Sequence, residues 1–231
     1  MKDLIYFYPV WDKPNYHHNA LKYSLRSLVY QGLPNVAIAG AKPNWINWDK
    51  VTYIDQGDPD SNPYYNVVQK ILKAFEVLNV DKLVLMNDDL IFLESYNVKQ
   101  PMPCRYRISL QYRTHQTPPV SPWSKNWART KKLFPYGTDY DTHYPMLIER
   151  DKWGKMCEKY DMYDYHYKTL YGNEYNLPYT PVYDCKTRLS HGFKFGDWQK
   201  AIISTHDTQE NTKAYRDFMN LRFSKKSIYE R

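Results

Sequence analysis

The chain has 231 residues, a formal net charge of +7 and three cysteines. A chain of this length can bury about 70% of its unfolded surface as one domain, so it needs neither disulfides nor a structural metal. Cys104, Cys157 and Cys185 lie far apart and form no CxxC pair, which argues against a disulfide framework and a zinc site and favours a reducing compartment.

No stretch approaches the roughly 18 consecutive apolar residues of a membrane span. The first residues also lack the basic segment and the long apolar run of a signal peptide. We therefore expect a cytoplasmic protein without a membrane span. Its oligomeric state stays open.

The first half of the chain alternates strand and helix patterns. Apolar and β-branched runs predict strands at 3–10, 35–39, 51–54 and 82–86. Between them, Leu21, Leu25 and Leu28 have helical spacing. A second helix begins at Ser61 or Asn62, which can cap it, and continues to Leu78. Lys70 lies off the apolar face of that helix and is expected to be solvated.

This alternation predicts an α/β protein with a doubly wound, mostly parallel sheet flanked by helices. The second half is rich in proline, tyrosine and charge, with short helices expected around 150–170 and 208–221. We predict a single domain over 1–231 with an irregular C-terminal extension.

The apolar strand at 82–86 ends in Asn87-Asp88-Asp89. Ligands of open α/β sheets bind beyond the carboxyl ends of the strands. Two adjacent carboxylates there suit a divalent cation, Mg²⁺ or Mn²⁺, that carries diphosphate oxygens. We predict Asp88 as a donor-binding residue and Asp89 as a metal ligand, with a turn or helix cap as the structural alternative.

This order of patterns resembles the Stealth-like family. The matching segments are LKYSLRSL, an apolar strand followed by Gly40 and Trp45, SNPYYNVVQK, LVLMNDDLIFL and YDTHYPMLI, over about residues 20–150. The family comprises capsular-polysaccharide hexose-1-phosphate transferases and small phage-encoded glycosyltransferase homologues. The resemblance implies a GT-A-like fold of the Rossmann type, in which residues 1–100 bind a nucleotide sugar and residues 101–231 face the acceptor. It also implies that Arg26, Asp88, Asp89 and His143 line the active site. The chain has YFYPVWD in place of the family's acidic opening motif and lacks the length of its full-length members, which favours the shorter glycosyltransferase-like relatives.

Further residues complete the predicted site. Tyr8, Arg26 and Asp55 are candidates for binding a nucleotide-sugar donor, most simply a UDP-sugar, although Arg26 could be a solvated helix charge and Asp55 a turn former. In TDYDTHYPMLI, alternation puts Asp139, Asp141 and His143 on one face of an extended segment. Asp141 or His143 is the candidate general base, with a buried, satisfied histidine as the alternative.

Two segments near the C-terminus join these candidates. His206 is a candidate metal ligand, unless residues 204–207 cap a helix that begins near Thr208. Asp184-Cys185-Lys186 is expected to shape the acceptor pocket.

The segment from Cys104 to Lys132 has seven Lys or Arg and no Asp or Glu. Cations interleaved with aromatic rings are typical of nucleic-acid surfaces, and its prolines suggest an exposed loop. The predicted acceptor-binding residues are Arg105, Arg107, Arg113, Trp123 and Lys125.

The sequence thus predicts a metal-dependent glycosyltransferase, transferring a hexose or pentose. The favoured acceptor is a hydroxymethylated pyrimidine in phage DNA, extruded from the duplex. A surface polysaccharide, Stealth-type transfer of a hexose 1-phosphate, and a non-enzymatic nucleic-acid-binding module are the alternatives.

Overall fold

A five-stranded sheet forms the centre of the molecule, with strand order β3-β2-β1-β4-β7. The computed structural model describes residues 4–12, 18–105, 121–182, 184–186, 201–205 and 212–231. The strands are β1 (Ile5–Val10), β2 (Asn35–Gly40), β3 (Val51–Ile54), β4 (Lys82–Leu85), β5 (Leu90–Phe92), β6 (Met102–Arg105), β7 (Met146–Glu149), β8 (Tyr179–Val182) and β9 (Ile202–Ser204). The helices are α1 (Asn19–Ser27), the 3-10 turn η1 (Leu28–Gln31), α2 (Pro63–Leu78), α3 (Pro122–Leu133), α4 (Arg150–Lys159), α5 (Tyr167–Glu174) and α6 (Lys213–Arg222).

Strands β1 to β4 run parallel, as the sequence predicts. The antiparallel β7 closes one edge and pairs Met146 with Leu85 of β4. Because the chain moves outward from β1 to β3 and then returns to β4, right-handed crossovers place α1 and α2 on opposite faces. The prediction of an α/β protein with a mostly parallel sheet is therefore confirmed.

The strand residues alternate between two buried layers. Tyr6 and Tyr8 pack with Leu21 and Leu25 of α1 on one face. Phe7 packs on the other face, with Ile71 of α2 and with residues of α4 and α5. Since both faces are covered, the parallel strands consist of nearly continuous apolar runs, which is why the sequence pattern locates them well.

The predicted helix at 61–78 is confirmed, including its start. The Asn62 side chain accepts hydrogen bonds from the backbone N–H groups of Tyr64 and Tyr65, and Pro63 occupies the first turn.

The short helices expected around 150–170 are confirmed as α4 and α5, with a turn at residues 160–166 between them. Two other expectations about the second half were wrong. Helix α6 begins at Lys213 with Thr212 as its N-cap, so residues 204–207 do not cap it. Residues 122–132 belong to α3, where Ser121 and Ser124 form a capping box.

Two small sheets extend the central one. Strand β5 pairs antiparallel with β9, and β6 pairs parallel with β8. Both pairings join residues 90–105 to distant C-terminal segments, which brings the end of β4 close to residues 201–205.

The C-terminal residues are anchored by Arg26, near the end of α1. Its guanidinium donates two hydrogen bonds of 2.8 Å to the Glu230 carboxylate and one of 2.7 Å to the Phe223 carbonyl. Burial by itself would raise the pKa of Glu230, but the hydrogen bonds from Arg26 and from the Ser227 N–H outweigh it, so this pKa lies below its ordinary value.

We expect Arg26→Met to lower the free energy of unfolding by about 3 kcal/mol, because it leaves the buried Glu230 carboxylate without its main partner. As the control, Lys73→Met breaks an exposed pair with Glu76 and should cost less than about 0.5 kcal/mol. Urea denaturation measures both. A depressed carboxyl pKa stabilises the fold above its unfolded value of 4.5, so the difference between Arg26→Met and the unsubstituted protein should shrink as the pH falls below that value. A loss equal to that of the control would contradict the anchoring role.

Candidate active site

The strand order reverses between β1 and β4, which leaves a crevice beyond their carboxyl ends. Ligands of doubly wound sheets bind at such a reversal. Val10 is the last residue of β1, and Asp12 lies just after it. Asn87, Asp88 and Asp89 follow β4 at the same edge. The crevice therefore brings the predicted acidic turn beside the end of the first strand.

A buried lysine supports the β1 side of this crevice. The Lys70 ammonium, only 1% exposed, donates to the Val10 carbonyl at 2.7 Å and to Asp58 at 2.6 Å. Gly40 permits this approach: a Cβ at its position would lie 2.0 Å from the Val10 oxygen and 2.7 Å from the lysine nitrogen. The expectation of a solvated Lys70 was wrong, because α2 turns this side chain toward the carboxyl ends of β1 and β2.

A hollow of about 290 Å³ opens at the ends of β1 and β2, lined by Asp12, His18 and residues 41–45. Asp55 is exposed just beyond β3 at the same edge. Burial raises the pKa of Tyr53, and the charges of Asp55 and Asp12 add to the effect, which indicates that both carboxylates are near this ring. The predicted donor-binding residue Asp55 thus lies at the same edge as the hollow.

The turn after β4 is fixed by the β5–β9 pairing. Asp89 is buried, and its Oδ2 accepts a hydrogen bond of 2.7 Å from the Ser204 hydroxyl. The Lys186 ammonium lies 3.6 Å from the same oxygen, and the Thr205 N–H donates to the Asp89 carbonyl. The other carboxylate oxygen, Oδ1, is buried without a hydrogen-bond partner among the described residues.

Lys168, on α5, connects this turn to the segment before β7. Its buried ammonium donates to the Asn87 side-chain oxygen at 3.3 Å and to the Thr142 carbonyl at 3.0 Å. Burial lowers the pKa of Lys168, while the charges of Asp141, Asp184 and Asp89 act in the opposite direction. One cation therefore lies within the electrostatic reach of three carboxylates from separate parts of the chain.

The two predicted general bases have different partners. His143 Nδ1 lies 2.8 Å from Asp184 Oδ2, and its Nε2 lies 3.2 Å from the Lys186 ammonium. A lysine next to Nε2 favours the tautomer in which Nδ1 carries the proton and donates it to Asp184.

Asp141 Oδ1 instead lies 3.2 Å from His166 Nε2. Because His166 Nδ1 accepts the Thr169 N–H, its Nε2 carries the proton and donates to Asp141.

The expectation that Asp139, Asp141 and His143 share one face was therefore wrong. The segment is not a strand, and Asp139 is buried, where its side chain accepts the Asp141 N–H. A side chain that closes a local turn in this way departs from strand alternation.

Helix α3 supports the His166 side of the site rather than forming a mobile loop. Its Thr130 hydroxyl accepts the His166 N–H at 2.8 Å, Arg129 pairs with Asp164, and Trp127 is buried. Of the predicted acceptor residues, Trp123 is half-buried and Lys125 is exposed on this helix. Arg105 ends β6, and Arg107 and Arg113 lie outside the described residues.

Two predicted donor-binding residues have their polar groups engaged by other parts of the fold. Tyr8 is fully buried against α1, and its hydroxyl pairs with Ser24 at 3.1 Å. Arg26 lies near the end of α1 that leads into the start of β2, at the amino edge of the sheet, and its guanidinium is occupied by Glu230 and Phe223. Both assignments are corrected to structural roles.

The acidic turn fits a divalent cation in part. Carboxylate oxygens are the ligands that Mg²⁺ and Mn²⁺ prefer. Asp89 Oδ1 is buried and has no hydrogen-bond partner within the described ranges, so a bound cation would satisfy it. No group of three or more His, Cys, Asp or Glu side chains is close enough to hold a metal in the part of the chain that the structure describes. The predicted ligand His206 lies outside that part.

Sequence reasoning missed Lys168 and His166. A lysine and a histidine in the tyrosine-rich stretch MYDYHYK carry no pattern that separates them from surface residues. Asp184 and Lys186 were expected only to shape an acceptor pocket, since nothing in the sequence indicates their approach to His143 and Asp89.

The fold is that of GT-A glycosyltransferases. The chain matches a structure of the galactosyltransferase LgtC in complex with donor and acceptor sugar analogues, with a TM-score of 0.50, 12% identity and coverage of 97% of both chains. It also matches an active-site mutant of LgtC with a TM-score of 0.51 and 12% identity, covering 97% of this chain and 98% of that one. No protein-family model and no curated protein matches the sequence.

No helix among the described residues is both long and apolar enough to cross a membrane.

We expect Lys168→Met to loosen the site locally, because it removes the only cation hydrogen-bonded to both Asn87 and Thr142 in the described chain. Hydrogen exchange at residues 87–89 and 142–143 should accelerate at least about tenfold, as expected for the loss of charge-assisted hydrogen bonds.

Lys152→Met is the control, since it removes a partly exposed ion pair between Lys152 of α4 and Glu149 of β7. Hydrogen-exchange mass spectrometry measures the exchange rate of individual peptides in both variants. Unchanged protection at residues 87–89 in Lys168→Met would refute the proposed link.

Proposed function

We propose that this chain transfers a sugar from a nucleotide-sugar donor to an acceptor hydroxyl. The observation that carries the proposal is the buried Asp89 in the β1–β4 crevice, whose Oδ1 has no hydrogen-bond partner among the described residues and which has two lysines nearby. Fold alone does not fix function, so the argument rests on this site. The sugar analogues bound to LgtC, which shares the fold, agree with the same reaction class.

The donor fits the edge formed by β1, β2 and β3. The hollow beside Asp12 and residues 41–45 would take the nucleoside, with Asp55 nearby as a hydrogen-bond acceptor. A diphosphate extending from there would reach the turn after β4, where Lys186 is partly exposed. The lysine cation then offsets the negative charge of the bound diphosphate.

A Mg²⁺ or Mn²⁺ ion would be held by Asp88 and Asp89, with His206 as the further predicted ligand. When bound, such an ion supplies positive charge that stabilises the departing diphosphate. Asp89 is fixed in place for this by Ser204 and by its backbone bond to Thr205.

On the acceptor side, Asp141 and His143 remain the candidate bases. The N–H of His166 donates to Asp141 Oδ1 and orients this carboxylate, whose oxygens are the proton acceptors in a general-base role. Asp184 accepts the Nδ1 proton of His143, so the lone pair on Nε2 faces the Lys186 ammonium. His143 can act as a base only when Lys186 leaves that nitrogen.

Asp89→Asn should abolish donor binding while keeping the Ser204 hydrogen bond and the fold, because it removes charge without changing shape. The measurement is the thermal shift produced by a panel of nucleotide sugars with Mn²⁺. A ligand at a hundred times its Kd stabilises by about 2.7 kcal/mol, and we expect this gain to vanish in Asp89→Asn.

The control is Asp81→Asn, an exposed carboxylate beside the amino end of β4. It should retain the full shift. If Asp89→Asn also retains the shift, or no nucleotide sugar shifts the unsubstituted protein, the donor-site proposal is wrong and a nucleic-acid-binding module becomes the better hypothesis.

For the acceptor, we propose a carbohydrate hydroxyl. In α3, next to the predicted DNA surface, Trp127 is buried and Arg129 is paired with Asp164, so these two side chains would add little to such a surface. The cations of residues 105–113 keep a hydroxymethylated pyrimidine in phage DNA as the second candidate.

Incubation with a nucleotide-sugar panel and either oligosaccharides or hydroxymethylated DNA, followed by mass spectrometry, tests this choice. We expect an oligosaccharide to gain one sugar and the DNA nucleosides to keep their mass. A heavier nucleoside would establish the DNA acceptor instead, and the gain of a sugar phosphate would establish the Stealth-type reaction.

A further inference from the structure

A cationic hollow lies at the opposite edge of the sheet from the candidate active site. Its volume is about 420 Å³, and it is formed between η1 and the chain that follows α6. The lining residues come from the end of α1, from η1 and its following turn, and from residues 222–228. The Tyr229 hydroxyl hydrogen-bonds the Pro34 carbonyl, just before β2, which fixes this C-terminal segment at the amino edge.

The charged side chains that line this hollow are all basic, and one of them, Lys226, also donates to the Arg231 main-chain oxygen. None of the ten residues that line the hollow is acidic, while Arg222, Lys225 and Lys226 are exposed and basic. Nearby on α6, Arg216 is also exposed, and Asp217 is paired with Lys213. Glu230 is buried against Arg26 and therefore does not offset these cations at the surface.

Aliphatic side chains are exposed among these cations. Leu221 is 84% exposed, Val29 56%, Ile228 48% and Leu33 40%. Val29, Leu33 and Ile228 line the hollow itself, and Leu221 precedes Arg222 at the end of α6. Clusters of exposed apolar side chains rimmed by charge mark binding surfaces rather than ordinary solvent-facing ones.

We propose that this surface, residues 29–33 and 221–228, docks the protein on an anionic phospholipid bilayer. Lysines and arginines are attracted to acidic headgroups, and aliphatic side chains enter the boundary between headgroups and acyl chains. The combination favours a bilayer over nucleic acid, which would use the cations but leave Leu221 and Ile228 without partners. A second copy of the chain fits poorly, since a two-fold contact would place the same positive surface against itself.

The position of the surface suits an enzyme that works beside a membrane. The hollow lies at the amino edge of the parallel strands, and the crevice lies at their carboxyl edge. A protein docked through residues 221–228 keeps its crevice open to water, where a soluble nucleotide sugar arrives. Docking depends on none of the residues placed in the candidate active site, so it stands or falls independently of the proposed reaction.

Co-sedimentation of the full chain with lipid vesicles tests the proposal. We expect binding to vesicles of phosphatidylcholine mixed with phosphatidylserine, weakening as salt is added, and little binding to phosphatidylcholine alone. Lys225→Glu combined with Lys226→Glu should weaken binding at least about tenfold, since each basic residue near the surface contributes roughly a fivefold factor. Leu221→Ser combined with Ile228→Ser should weaken it roughly fivefold or more.

The matched control is Lys99→Glu with Lys155→Glu, which changes net charge equally at exposed positions elsewhere. It should bind nearly as well as the unsubstituted protein. Equal loss in the control, or equal binding to both vesicle types, would overturn the proposal. Unchanged vesicle binding in the Leu221 and Ile228 variant, together with release by duplex DNA, would assign the surface to nucleic acid, and concentration-dependent dimers lost in that variant would assign it to a second copy.

Discussion

The buried ammonium of Lys168 is the contact on which the candidate active site depends. It bonds Asn87 after β4 and the Thr142 carbonyl before β7, and it lies within the field of Asp89, Asp141 and Asp184. Carboxylates gathered in a partly buried crevice repel one another, and removing a buried cation leaves them uncompensated. Lys186, close to both Asp89 and His143, supplies the second positive charge. Two lysines thus offset the three carboxylates only in part before any ligand arrives, and the remaining negative charge favours a divalent cation.

The two edges of the sheet have separate tasks. At the carboxyl edge, Lys70, Asp58 and the turn after β4 form a polar crevice at the strand-order reversal. At the amino edge, Arg26 and Glu230 anchor the C-terminal residues and hold the cationic hollow in place. The Arg26 guanidinium cannot serve both edges, because its donors are directed to Glu230 and to the Phe223 carbonyl. The sequence associates this arginine with phosphate binding, but in the structure it anchors the C-terminal residues.

Prediction from sequence succeeded where a feature depends on local pattern. The strands from 3–10 to 82–86 and the helix capped by Asn62 follow from apolar runs and turn chemistry, and Asp88-Asp89 follow a central strand as expected. It failed where a side chain's role depends on distant segments. Lys70 looks solvated by its helix position, yet the crossover of α2 directs it to Val10 and Asp58. Residues 122–132 read as a proline-rich loop, although Pro122 lies in the first turn of α3, where it is favourable.

By itself the sequence determined the α/β class, the elements of the parallel sheet and the acidic turn at the end of β4, because hydrophobic periodicity and the strand-end rule act over a few residues. Only the tertiary structure decided that His143 pairs with Asp184 and that Asp141 pairs with His166. It also decided that Lys168 joins Asn87 to the Thr142 carbonyl. It also decided that Tyr8 and Arg26 are structural and that Arg222, Lys225 and Lys226 share a hollow with η1. Each of these contacts joins residues that lie far apart in the sequence. Spacing along a chain carries no record of which distant segments will meet.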